Sequence, residues 1–350
     1  MISAKKWSAV AATVFAIAVA VSGCSSKASD APALGAATSV PSGSITVYNA
    51  QHEELTQSWA DAFTKETGVK VVLRNGDDAE LGNQLIQEGS ASPADVFLTE
   101  NSPAMSLVDN AKLFSPVDAA TLAQVPTAYK PSSGTWTGIA ARSTVFVYNP
   151  TLVSPAQLPK SLLDLADAAW KGRWAASPSG ADFQAIVSAL LQEKGAAATE
   201  AWLVAMKANS TTYKGNSTVM KAVNAGQIPA GVIYHYYWFG DQAGTRENSK
   251  NTKLFYFKNQ DPGAFVSISG GGVLKTSKNP VAAQAFVKFI TGKAGQAILT
   301  NGTSFEYPVA TGVAANPALV PLTELDAPAI DPSTLNSTKV TDLMTKAGLL

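Results

Sequence analysis

The chain has 350 residues, and its 26 basic side chains are balanced by 26 acidic ones. This balance argues against a nucleic-acid partner, which would call for a basic surface. Cys24 is the only cysteine, so an internal disulfide is excluded.

The N-terminus has the pattern of a secretory signal. Lys5 and Lys6 precede an uncharged apolar stretch, which ends in small residues just before Cys24. The stretch is shorter than the roughly 20 apolar residues of a membrane span. A lone cysteine at this place resembles a bacterial lipobox. We therefore predict a lipoprotein signal peptide over 1–23 and a lipid anchor on Cys24, which would hold the exported protein at the outer face of the cell membrane.

Residues 24–43 are rich in Ser, Ala, Pro and Gly, a composition typical of a flexible tether. Loss of the signal removes two lysines and leaves 24 basic side chains against 26 acidic ones. The remaining body is about twice the length of a typical domain, so two lobes are predicted.

Strand and helix patterns alternate along this body. The β-branched run Ser44–Asn49 predicts a strand, and Leu55, Trp59 and Phe63 mark one face of a helix that ends at Gly68. Further strands are predicted at 69–73, 95–99, 143–148 and 266–268, and further helices around 81–86, from 102, and over 181–194, 199–208 and 281–290. A buried strand that enters a loop is predicted over 228–237, and a flexible break over 270–272.

This alternation predicts an α/β fold with βαβ units and a largely parallel sheet. In such sheets ligands bind beyond the carboxyl ends of the strands. His52 and Glu100 both follow predicted strands directly. Taken alone, however, His52 could be a solvated loop residue, and Glu100 could simply interact with the dipole of the helix that follows.

Residues Ser177–Ala181 form a loop that opens a predicted helix. Backbone N–H groups at such a position bind anions. An ordinary turn with a serine cap is the alternative, and Asp182 would compete for the same positive helix end.

Five consecutive aromatic rings, Tyr234–Trp238, follow an apolar strand. Aromatic runs usually serve packing, but alternate residues of a strand face opposite sides, so some of these rings should face a cleft or water. Phenolate, carboxylate and imidazole together form a hard O/N donor set that suits ferric ion.

Several separate motifs resemble the periplasmic ferric-ion-binding proteins of bacterial ABC importers, and the resemblance covers almost all of the body. The most specific motifs are VYNAQH at 47–52, SPADVFLTEN at 92–101 and YYW at 236–238. SGA at 179–181, DPGAFV at 261–266 and EYPV at 306–309 support them.

The resemblance implies that His52, Glu100, Tyr236 and Tyr237 bind Fe(3+). It also implies a synergistic anion, such as phosphate or carbonate, contacted by Asn101, Ser179, Gly180, Ala181 and Asn216. Two departures bear on the anion. Tyr234 stands where the family often has an anion-binding Asn, and Asp182 adds a negative charge beside the anion loop.

The implied fold is a two-lobed, type II-like periplasmic-binding-protein fold with two crossing strands. Lobe 1 would comprise 44–142 and 269–319, lobe 2 would comprise 143–268 and 320–350, and the hinge would lie near 141–144 and 267–271. The implied partners are an ABC transporter permease and its ATPase, with the binding protein itself a monomer and not an enzyme.

Two alternatives remain at this point. The same fold could bind thiamine, a polyamine, phosphate, a phosphonate or sulfate, with the aromatic run stacking on a cationic ligand. A surface hydrolase using Ser179 would need a nucleophile motif, and the sequence has no G-x-S-x-G.

Overall fold

The computed structural model describes residues 41–350, so the predicted signal peptide, Cys24 and most of the predicted tether lie outside the described residues. The strands are Ser44–Asn49 (β1), Lys70–Asn75 (β2), Val96–Leu98 (β3), Thr137–Tyr148 (β4), Trp174–Ala176 (β5), Ser210–Thr212 (β6), Ala230–Tyr234 (β7), Lys253–Phe255 (β8) and Val266–Val273 (β9).

The α-helices are Glu53–Thr67 (α1), Asp78–Glu88 (α2), Ser102–Asn110 (α3), Ala119–Leu122 (α4), Ala181–Asn209 (α5), Asn216–Asn224 (α6), His235–Ala243 (α7), Pro280–Thr291 (α8), Lys293–Asn301 (α9) and Ser337–Lys346 (α10). Helix α5 joins the two predicted helices 181–194 and 199–208, with a kink at Gly195, whose φ is 77°. No helix in residues 41–350 is long and apolar enough to cross a membrane.

The strands follow the order β2-β1-β3-β9-β4-β7-β5-β6, with β8 against β4. The pairs of β1 with β2 and β3, and of β5 with β6 and β7, are parallel. The pairs β3/β9, β4/β7, β4/β8 and β4/β9 are antiparallel. The prediction of a largely parallel sheet is therefore wrong for the centre of the sheet. There β4 carries the chain from one strand group to the other and β9 carries it back, so the two strands run in opposite directions.

Strand β4 is buried along its whole length and changes partner midway. Its first part, up to Ser143, pairs with β9, and its second part, from Thr144, pairs with β7. The predicted hinge near 141–144 coincides with this change of partner. Two groups of parallel strands, β1–β3 and β5–β7, thus flank the pair β4/β9.

Separate apolar cores support these two groups. Trp59, Phe63 and Phe286 belong to the core beneath the first group, and Trp174 and Phe183 belong to the core beneath the second. Strands and helices both contribute, since Val47 of β1 belongs to the first core and Trp174 of β5 to the second.

The C-terminal segment contacts elements on both sides. Ser106 Oγ on α3 donates a hydrogen bond to the carbonyl of Pro332 (3.0 Å), and Asn336 N donates to Ser188 Oγ on α5 (2.8 Å). The segment before α10 therefore links a helix that follows β3 to a helix that follows β5.

Two local predictions are wrong. The aromatic run does not continue β7 as a strand and loop, because α7 begins at His235 directly after the strand. Residues 270–272 do not form a flexible break either, since they lie inside β9 and are buried.

Close packing explains the glycines of β9. A Cβ atom on Gly270 would lie 2.3 Å from Met105 Cγ and 3.1 Å from a ring carbon of Trp136. Only a residue without a side chain allows the crossing strand to approach α3 this closely.

We expect Gly270→Ala to lower the free energy of unfolding by about 1–3 kcal/mol, the usual range for overpacking a core. Gly240→Ala is the matched control, because Gly240 lies in α7 and a Cβ there meets nothing within 4 Å. Helix propensity predicts that this change is neutral or stabilises by about 0.5–1 kcal/mol. Urea unfolding of both variants checks this, and equal midpoints would contradict the packing argument.

Candidate metal centre

Neighbouring parallel strands bring His52 and Glu100 together. His52 follows β1 and immediately precedes α1, while Glu100 follows β3 and lies just before α3. Because β1 and β3 are paired in parallel, their carboxyl ends meet at one edge of the sheet. His52 Nε2 lies 3.2 Å from Glu100 Oε1.

The second group of strands supplies phenols, an amide and another carboxyl in the same way. Asp182 lies in the first turn of α5 after β5, Asn216 begins α6 after β6, and Tyr236 and Tyr237 lie in the first turn of α7 after β7. All of these side chains are therefore close to helix N-termini, where the helix dipole favours negative charge.

Asp182 is the shared hydrogen-bond acceptor of this second set of side chains. Its Oδ2 accepts hydrogen bonds from Asn216 Nδ2 (2.8 Å), from the Tyr236 hydroxyl (3.1 Å) and from the Tyr237 hydroxyl (3.2 Å). Its Oδ1 accepts from Asn101 Nδ2 (3.0 Å), which belongs to the first set.

The two sets of side chains contact each other through the rings of His52 and Tyr236. The rings of His52 and Tyr236 have centroids 4.8 Å apart in an edge-to-face arrangement, and the Tyr236 and Tyr237 rings stack at 4.3 Å. Two ligand atoms that each lie about 2.0–2.2 Å from a metal ion, with a right angle between the two bonds, are about 3 Å apart. The pair His52–Glu100 and the pairs of Asp182 with each phenol have this spacing.

Carboxyl groups in the site respond to their neighbours in opposite ways. Burial and the charge of Glu100 raise the pKa of Asp182 to about 6. Burial also opposes ionisation of Glu100, but the hydrogen bond from His52 and the charge of Arg142 outweigh it and hold the pKa of Glu100 below its ordinary value. Ionising Asp182 beside the Glu100 carboxylate is therefore unfavourable.

The phenols stay protonated without a cation. Burial, then the charges of Asp182 and Glu100, raise the pKa of both Tyr236 and Tyr237 well above the usual 10. A bound multivalent cation reverses this, because its charge stabilises the phenolate.

A buried polar network lies behind His52. Glu306 Oε2 is 3.4 Å from His52 Nδ1, and Glu306 Oε1 is paired with the guanidinium of Arg142, which is wholly buried on β4. Burial lowers the pKa of His52, but the charges of Glu306 and Glu100 outweigh this and raise it above its ordinary value.

Negative charge exceeds positive charge around the site. The acidic side chains are Glu100, Asp182, Glu306 and the buried Asp78, and the basic ones are Arg142 and His52. The charge of Glu100 raises the pKa of both Asp78 and Asp182, and the charge of Arg142 opposes this. In residues 41–350 no group of three or more His, Asp, Glu or Cys side chains could hold a metal alone. A metal centre here therefore requires the phenols.

The sequence-predicted residues fall into three groups. His52, Glu100, Tyr236 and Tyr237 converge on one place. Asn101 and Asn216, predicted as anion contacts, instead donate to Asp182. Ser179 and Gly180 precede α5 and Ala181 begins it, and Gly180 and Ala181 line a cleft of about 410 Å³ beside His52 and Tyr237.

Sequence reasoning missed three contributors. The sequence indicates Asp182 only as a competitor for an anion and indicates no role for Arg142 or Glu306. A charged residue inside the apolar strand TGIAARSTVFVY was the available signal for Arg142. Its partner Glu306 is 164 positions away, so no local pattern could join them.

The other histidine, His235, lies outside the donor set. It is fully buried, its Nδ1 accepts a hydrogen bond from Ser143 N (3.2 Å), and its ring stacks on Tyr307 at 4.7 Å. Burial lowers its pKa to about 3. His235 therefore packs behind Tyr236 as a neutral ring.

Known proteins resemble this chain over most of its length. The chain is 71% identical over 318 residues to the "Fe(3+)-binding periplasmic protein" of Serratia marcescens, covering 91% of this chain and 94% of that protein. It is 38% identical to the "Major ferric iron-binding protein" of Neisseria meningitidis serogroup B, covering 87% and 93%.

Solved structures agree with the fold. The crystal structure of iron-bound HitA from Pseudomonas aeruginosa matches with a TM-score of 0.82 and 40% identity, covering 88% of this chain and all of that one. The Trichodesmium protein in complex with iron and citrate matches with a TM-score of 0.74 and 26% identity over 88% of this chain. These neighbours show that the fold is a two-lobed periplasmic-binding-protein fold, as predicted.

The sequence profile described as "Bacterial extracellular solute-binding protein" matches residues 91–333. This span exceeds half of the chain. The chain therefore belongs to the bacterial extracellular solute-binding proteins.

Proposed function

We propose that the protein captures ferric ion between its two lobes and delivers it to an ABC-type importer, made of a permease and an ATPase. It is a binding protein and not an enzyme, like the relatives it matches. The observation that carries the proposal is the convergence of Tyr236 and Tyr237 with His52, Glu100 and Asp182. These are hard oxygen and nitrogen donors, which suit a trivalent ion.

The lobes explain how capture and release would work. We assign lobe 1 to 44–142 and 269–319, and lobe 2 to 143–268 and 320–350. His52 and Glu100 then lie on lobe 1, and the phenols and Asp182 lie on lobe 2. Only a closed arrangement offers all donors at once, so metal binding shifts the population towards closure.

We infer that Asp182 takes the role that the family resemblance implies for a free anion. Its Oδ2 accepts from both phenols and from Asn216, and Asn101 holds its other oxygen. A carboxylate fixed at this point supplies the negative charge that phosphate or carbonate would bring. Asn101 and Asn216 then orient Asp182, while Gly180 and Ala181 border the cleft.

A ferric titration tests the metal assignment. Metal-stripped protein titrated with ferric nitrilotriacetate should develop a visible charge-transfer band that saturates at one iron per chain. The double variant Tyr236→Phe/Tyr237→Phe should lose the band and bind iron more than about 100-fold more weakly, since changes to mere outer-shell partners already cost about 10–100-fold.

Tyr256→Phe is the control for this titration. The Tyr256 hydroxyl is buried without a hydrogen-bond partner among residues 41–350, so its loss should leave the band unchanged. A wild-type protein that shows no band with or without added phosphate, citrate or carbonate would defeat the ferric proposal. A thermal-shift screen with thiamine, polyamines, phosphate and sulfate would then identify the solute.

Asp182 is tested by the anion requirement. The wild-type protein should reach full iron occupancy in anion-free buffer, because the carboxylate is built in. Asp182→Ala should bind iron weakly there and regain binding when phosphate or carbonate is added. A wild-type protein that needs the added anion would contradict this role for Asp182.

We also propose that Cys24 carries the lipid that holds the protein at the outer face of the membrane. The support is the sequence pattern, a basic start, an apolar stretch and small residues before a lone cysteine. Cys24→Ala should move the protein from the membrane fraction to the soluble extracytoplasmic fraction. An unchanged distribution would rule the anchor out.

A further inference from the structure

We propose that Glu306 is a positioning residue for the metal site: it holds the His52 imidazole so that Nε2 faces the metal, while Arg142 neutralises the charge of Glu306. The proposal rests on the ferric function proposed above. It assigns a role to a buried ion pair whose carboxylate faces His52 at 3.4 Å and whose guanidinium lies 5.6 Å from the centre of the Tyr236 ring.

The two ring nitrogens of His52 face different carboxyls. Nε2 points to Glu100, itself a proposed ligand, at 3.2 Å, and Nδ1 points to Glu306 at 3.4 Å. A histidine that binds a metal through one nitrogen commonly donates its other N–H to a carboxylate, which fixes both the tautomer and the ring orientation. Glu306 is placed to accept that N–H.

The two oxygens of Glu306 have separate partners. Oε1 is paired with Arg142 Nη2 and accepts from Gln51 Nε2 (3.3 Å). Oε2 has no hydrogen-bond partner among the described residues and faces His52 alone. One oxygen is therefore anchored, and the other is left free for the imidazole.

Gln51 holds the same arrangement from the backbone side. Its Oε1 accepts from His52 N (2.7 Å) and from Arg142 Nη2 (3.2 Å), and its Nε2 also donates to Ser269 Oγ on β9 (2.9 Å). The main chain and the ring of His52 are thus tied to one network that includes residues of both crossing strands.

The network lies where the chain passes between the two strand groups. Arg142 is on β4, Ser269 is on β9, and Tyr307, the neighbour of Glu306, makes a bridge to Ala141. Because three passages of the chain meet here, Glu306 is held rigidly. A rigid acceptor can orient an imidazole more narrowly than a flexible surface side chain could.

A double-mutant cycle tests the proposal in the full-length protein. Ferric affinity is measured by competition with nitrilotriacetate for the wild type, Glu306→Gln, His52→Ala and the combined variant. Glu306→Gln should weaken binding by about 10–100-fold in the wild-type background. In the His52→Ala background the same change should alter affinity by no more than about twofold, because a residue that acts through His52 has nothing left to orient.

Two further variants guard against misfolding. Arg142→Met/Glu306→Met removes the whole ion pair, so no buried charge is left unpaired. It should lose at least as much affinity as Glu306→Gln, with a further loss that does not depend on His52, because Arg142 also acts on Glu100 and lies over the Tyr236 ring. Glu88→Gln is the control, since Glu88 lies 3.8 Å from Arg74 in a pair remote from the site, and it should leave affinity unchanged.

A spectroscopic readout separates orientation from general damage. Pulsed EPR of the ferric protein should show coupling to a histidine nitrogen in the wild type and lose or shift it in Glu306→Gln. The phenolate charge-transfer band should persist. The role of Glu306 would be overturned if the losses of ferric affinity in Glu306→Gln and His52→Ala were additive in the combined variant, or if the nitrogen coupling were unchanged. Failure of the wild type to bind iron would overturn both the ferric function and the role of Glu306, whereas the outcomes above would overturn the role of Glu306 alone.

Discussion

The site depends on one geometric constraint, the shared edge at which parallel strands end. β1 and β3 end together in one group, and β5, β6 and β7 end together in the other. Each strand leads directly or through a short loop into a helix, so polar side chains and helix N-termini converge. The two groups face each other because β4 and β9 pair with one another between them. Without that antiparallel pair, His52 and Tyr236 would belong to separate surfaces.

Buried charge at the site is only partly compensated by charge of the opposite sign. Arg142 and Glu306 compensate each other within the protein, whereas Glu100 and Asp182 lack such an internal partner beyond His52 and the field of Arg142. Burying carboxylates without full compensation is costly. The incompletely compensated carboxylates therefore lower the free energy of unfolding, and a bound cation would offset this loss.

The sequence predicted those parts of the site that follow local rules. His52 and Glu100 each directly follow a β-branched or apolar run, and the tyrosine pair belongs to an aromatic run, but their role as ligands is what the resemblance to the ferric-ion-binding family implies. Helix α1 ends at Gly68 as predicted. The role of Asp182 escaped prediction because its partners Asn216, Tyr236 and Asn101 are 34, 54 and 81 positions away. The start of α7 at His235 was missed because aromatic residues favour strands, and tertiary packing overrode that preference.

The excess of negative charge has a consequence for the oxidation state of the cargo. Two phenolates with Glu100 and Asp182 would bring four negative charges to the metal, so a ferric ion leaves one uncompensated and a ferrous ion leaves two. In a buried, low-dielectric site the additional uncompensated charge weakens binding. Such a donor set would therefore favour ferric over ferrous iron and lower the reduction potential of iron held there.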